Sequence, residues 1–134
     1  MVTMSMVLED RVWTREERDG LPDDGFRHEL LDGKLIVTPS PRVPHQAMVV
    51  GLVIALAHAC PPELKVFTAP LDVTLAEDTV LEPDALVVRG SQASGATLEG
   101  VPLLAVEVAY VEGGESWAAV QPFTVTIVPS ALMA

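Results

Sequence analysis

Two acidic residues stand where an apolar sequence does not ordinarily put them. Asp84 opens the run DALVVRG (84–90), directly after Pro83, and Glu107 lies inside PLLAVEV (102–108). An ionised carboxylate within an apolar strand is costly unless it is paired or bound to a metal. If the two runs are neighbouring strands, the carboxylates converge at one edge of the core and repel each other, and a divalent cation relieves that repulsion. Mg²⁺ takes one or two carboxylates together with water and phosphate oxygens. Such an ion acidifies a water and stabilises charge on a phosphoryl group. Spacing alone leaves other readings open: Asp84 simply starts a strand after a loop, Glu107 faces solvent with Val106 and Val108 inward, and Glu82 is a solvated charge.

The surrounding elements follow from periodicity and punctuation. TREERDGLP (14–22) reads as a short surface helix, with Thr14 as cap and Glu17 at capping-box spacing. FRHELLDGKLIVTP (26–39) reads as two strands joined at Asp32-Gly33, a pair suited to a tight hairpin. After the loop SPRVP (40–44), a helix from about His45 to Ala59 is apolar nearly all round. That predicts burial against a sheet, with Pro44 in its first turn and Pro61-Pro62 ending it. LKVFTAP (64–70), LDVTLAE (71–77), DALVVRG, PLLAVEV and FTVTIVP (123–129) are strand-like, with turns at 77–79 and 112–116 and a loop at 91–100. Residues 1–9 read as a loose N-terminus. The expected class is a mixed α+β, or α/β, single domain over 1–134 built around one long buried helix.

Composition narrows the function. The chain has 134 residues, 49% apolar and 20% charged, which suits one globular core. The net charge is −11 with only eight Lys and Arg, and nonspecific nucleic-acid affinity comes mainly from those cations. A simple DNA-coating protein is therefore disfavoured, whereas an enzyme holding phosphate through a metal ion is not, because the ion reverses the local field. Cys60 is the single cysteine, so no intrachain disulfide forms and a reducing, cytoplasmic setting fits. The start lacks the basic and apolar regions of a signal peptide, and the 14-residue run at 47–60 is too short to span a bilayer.

The segments FRHELLDGKLIVTPSPRVPHQAMVVGLVIALA, VFTAPLDVTLAEDTVLEPDALVV and PLLAVEV, in that order, resemble the Uma-two family of restriction endonucleases, within the PD-(D/E)XK nuclease superfamily. The resemblance covers about residues 10–108. It implies a mixed-sheet, restriction-endonuclease-like core, Mg²⁺ or Mn²⁺ as cofactor, and DNA as substrate. It also implies Asp84 and Glu107 as catalytic metal ligands, Glu29 as a third catalytic acid, and His45 and Gln46 as substrate-orienting residues. One departure is chemical: Ala109 stands two places after Glu107, where the motif carries lysine, leaving Lys34 and Lys65 as the lysines of the chain. Another is length. Relative to the family, an internal segment of about fifty residues is missing after Val108, judged also by normal domain size. Residues 109–134 then form a C-terminal strand segment. A truncated sheet exposes an edge or apolar surface, which predicts a homodimer or larger assembly. The alternative is a catalytically inactive nuclease-fold remnant serving as an interaction or regulatory module. A third reading, a small acidic binding protein unrelated to nucleases, rests on charge and strand content alone.

Overall fold

The computed structural model describes residues 6–8, 11–108, 117–119 and 125–127. Thr14 caps helix α1 (Arg15–Asp19): the Glu17 N–H donates to Thr14 Oγ1, and the Thr14 N–H donates to the Glu17 carboxylate at 2.9 Å. Strands β2 (Arg27–Leu31) and β3 (Lys34–Thr38) form the expected hairpin, in register from Arg27 opposite Thr38 to Leu31 opposite Lys34. Both turn residues have positive φ, 49° at Asp32 and 80° at Gly33. That is the primed geometry that follows the right-handed twist of the strands. Gly33 is also crowded, since a Cβ there would lie 2.7 Å from Val12 Cγ1.

The strands divide between sheets, and every described pairing is antiparallel. The larger sheet has the order β1-β3-β2-β6-β5, with β1 (Met6–Leu8), β5 (Val73–Ala76) and β6 (Thr79–Leu81) completing it. Met6–Leu8 thus pairs with β3, although the sequence reads as a loose start there. The smaller sheet has the order β4-β7-β8, with β4 (Leu64–Thr68), β7 (Ala85–Arg89) and β8 (Leu104–Val106). Strands β9 (Trp117–Ala119) and β10 (Val125–Ile127) form a separate ribbon. The turn predicted at 112–116 lies outside the described residues.

Strand β7 is central in its sheet and is covered on both faces, so its apolar run does not alternate. Ala85 packs with Leu52 and Leu56 of helix α2 (Val43–Ala59), while Leu86 and Val88 pack on the opposite side with Val73 and Phe67. All four residues Ala85–Val88 are fully buried. Helix α2 departs from expectation. It buries Val49, Leu52 and Leu56, but Val50 and Ile54 on its other face are 58% and 65% exposed. Its all-round apolarity therefore reflects two faces of different fate, one against the small sheet and one turned outward.

The mixed α+β class holds, with one main helix. One of the links between the two sheets is very short: β6 ends at Leu81 and β7 starts at Ala85, so Glu82-Pro83-Asp84 spans it. The sequence reads as a turn over 77–79, whereas Thr79 already belongs to β6.

Candidate functional site

Antiparallel register brings the two carboxylates together. Ala85 of β7 lies opposite Val106 of β8, so one step beyond the pair sets Asp84 opposite Glu107. Asp84 is 3% exposed and fully engaged. Its Oδ2 accepts from the Val108 N–H at 2.7 Å and lies 3.2 Å from His45 Nε2, and its Oδ1 pairs with Arg27 Nη1 at 3.0 Å. His45 reaches it from the first turn of α2, and the His45 Nδ1 is buried without a hydrogen-bond partner among the described residues.

The larger sheet supplies the other half. Arg27 and Glu29 are two apart on β2 and so share a face of the strand. Arg27 Nε lies 2.8 Å from Glu29 Oε1, an ion pair whose angle falls outside hydrogen-bond geometry. Arg27 Nη1 also donates to the Glu82 carbonyl at 3.2 Å, and Nη2 lies 3.6 Å from Glu107 Oε2. Glu29 is buried and its Oε2 accepts from the Glu82 N–H at 3.2 Å. One guanidinium thus touches three carboxylates drawn from two sheets.

The electrostatics reflect that crowding. Partial loss of water around its carboxyl end, followed by the charges of Asp84 and Glu29, pushes Glu107 up to about 7. Its side chain is nonetheless 58% exposed. Burial works against the charge of Arg27, yet Glu29, Asp84 and Glu107 together hold its pKa above the ordinary value.

A second ionic group adjoins the first. Arg18 of α1 binds both Asp72 oxygens, at 2.7 and 2.9 Å, and Glu82 Oε1 at 3.1 Å, and donates to the His28 carbonyl at 2.8 Å. Glu82 is consequently not the solvated charge the sequence suggested: its side chain is only 13% exposed. Burial, then the hydrogen bond and charge of Asp72, push it up to about 7.

Of the residues singled out from sequence, Asp84, Glu107, Glu29 and His45 therefore meet, whereas Gln46 is exposed on α2 outside the hydrogen-bonded group. Lys34 and Lys65 are exposed on their strands. The cation at the site is Arg27, which sequence reasoning passed over. Its signal was present in RHE, where an arginine and a glutamate alternate onto one face of a strand.

Among the described residues, no group of three His, Cys, Asp or Glu side chains is gathered as a metal cage. The donor chemistry nonetheless fits Mg²⁺ or Mn²⁺, which need only one or two carboxylates alongside water and phosphate oxygens. A carboxylate offers about four lone-pair sites. Arg27, Val108 and His45 occupy three of those on Asp84, and Glu107 meets the cluster through one oxygen. Among the described residues, no helix is long and apolar enough to cross a membrane.

Residues 15–114 match the Uma2 family, described as putative restriction endonuclease. Comparison with curated proteins finds no match.

Proposed function

The chain belongs to the Uma2 family of restriction-endonuclease-like proteins, and from that membership we propose that it hydrolyses DNA phosphodiester bonds with a divalent metal ion. The observation that supports this reading most directly is the register that sets Asp84 opposite Glu107 at the end of two paired strands. These two carboxylates would hold Mg²⁺ or Mn²⁺. When bound, the ion supplies Lewis-acid polarisation of a phosphoryl oxygen and acidifies a water. Asp84 is oriented for the task by the Val108 N–H and His45, so little side-chain freedom remains to be lost on binding. Glu107 would bind as its carboxylate, a form that the neighbouring Asp84 and Glu29 charges disfavour and a cation would favour. Glu29 acts through Arg27, fixing the guanidinium beside the reacting centre. Self-association and a cytoplasmic location belong to the same reading and rest on the sequence.

The test is incubation of the pure protein with plasmid DNA and Mg²⁺ or Mn²⁺. Cleavage that disappears in Asp84→Ala supports the proposal, while cleavage indifferent to that change removes it.

A second reading, an inactive remnant, is favoured by one observation: a guanidinium already pairs with the three carboxylates. In that case calorimetric titration with Mn²⁺ gives no saturable binding.

A further inference from the structure

Three carboxylates and one guanidinium leave the cluster two negative charges in excess when all are ionised. The contacts are unequal. Arg27 lies 2.8 Å from Glu29 and 3.0 Å from Asp84, but 3.6 Å from Glu107. The Arg27 side chain is 23% exposed, while its Nε is buried beside Glu29. Both Glu29 and Arg27 belong to the larger sheet, while Asp84 and Glu107 belong to the end of the smaller one. The guanidinium therefore has one partner on its own strand and two that it reaches across the seam.

We infer that Arg27 is a built-in counter-ion that competes with the divalent cation: it holds Asp84 and Glu107 together in the metal-free protein and yields them when the ion binds, staying anchored by Glu29. This inference rests on the metal-dependent reading above. The physical reason is that a compact doubly charged ion and a guanidinium cannot share the same two carboxylates without strong mutual repulsion in a partly dry site. The carboxylates gain more from the higher charge density. The ion pair to Glu29, on the same strand face, costs nothing to keep. Arg27 is by this account a positioning residue: by competing for the carboxylates it sets the metal concentration at which the site fills.

The experiment is calorimetric titration of Mn²⁺ into the full chain and into Arg27→Gln and Arg27→Lys. Removing the competing charge in Arg27→Gln should tighten Mn²⁺ binding at least tenfold, and Arg27→Lys, which keeps the charge, should stay near the parent. Equal or weaker binding by Arg27→Gln overturns the inference while leaving the metal reading intact. Saturable binding by none of the three overturns both. Should Arg27→Gln fail to fold, the unmodified protein answers by NMR. The Arg27 Nη–H resonances, which face Asp84 and Glu107, should shift as Mg²⁺ is added, along the same saturation curve as the Val108 amide, which reports occupation through its bond to Asp84. An Arg27 resonance that stays fixed while the Val108 amide saturates overturns the inference.

Discussion

Asp84→Ala tests whether the ionic cluster holds the fold together as well as the proposed metal. Asp84 is 3% exposed and carries three contacts: Arg27 at 3.0 Å, the Val108 N–H at 2.7 Å and His45 at 3.2 Å. Removing one partner of a buried ion pair typically costs about 3–5 kcal/mol. Two features place this case at the lower end. Arg27 retains Glu29 and Glu107, so its charge is not stranded. Deleting Asp84 also relieves repulsion on Glu107. Against that, the Val108 N–H loses its acceptor, a loss of about 1 kcal/mol. The expected destabilisation is about 3–4 kcal/mol, a fall of roughly 10 °C in Tm for a domain of this size. Asp84→Asn keeps one carbonyl acceptor for Val108 or Arg27 and should cost about half as much. Urea denaturation of the three proteins, followed by circular dichroism, measures both differences. A Asp84→Ala variant within about 0.5 kcal/mol of the parent, the range of ordinary surface substitutions, would refute the claim that this carboxylate ties the two sheets.

Other outcomes follow from the same geometry. Glu82, raised from an ordinary 4.5 to about 7, binds more protons in the folded than in the unfolded chain across that interval, so stability falls as pH rises through it. Glu82→Gln should make the slope of unfolding free energy between pH 5 and pH 7 shallower, and an unchanged slope in denaturation curves would show that Glu82 is not its source. Gly33→Ala forces a left-handed φ on a residue with a Cβ and drives that Cβ towards Val12, so a loss of about 1–3 kcal/mol is expected in thermal unfolding. Leu56→Ala empties a fully buried position between α2 and β7 and should cost about 2–5 kcal/mol by the same measurement.

Local chemistry made much of the fold legible. Thr14 with Glu17 marked the start of α1, Asp32-Gly33 marked the hairpin, and the apolar run after Asp84 marked a strand. What could not be read is pairing between distant segments. Met6–Leu8 is three residues long and becomes a strand only because β3 offers it an edge. Thr79–Leu81 is equally short and is fixed by Leu30 and Val73 on either side. The site followed the same rule. The anomalous Asp84 and Glu107 were visible because an acid in an apolar run is conspicuous. Arg27 and Glu82 were not, because a charged residue in a mixed segment reads as solvated until the neighbour that desolvates it is known. For α2, composition showed an apolar helix but could not show which face the small sheet would cover.

The linker Glu82-Pro83-Asp84 has a mechanical consequence. It is the only chain between the end of β6 and the start of β7, and it is itself part of the ionic cluster through the Glu82 backbone and the Asp84 side chain. Sliding of one sheet over the other therefore moves Arg27 and Glu29 directly against Asp84 and Glu107, with no intervening lever arm. Packing defects far from the acids, under Leu56 for example, should be felt as altered grip on a cation, and a bound cation should in turn stiffen the shear between the sheets.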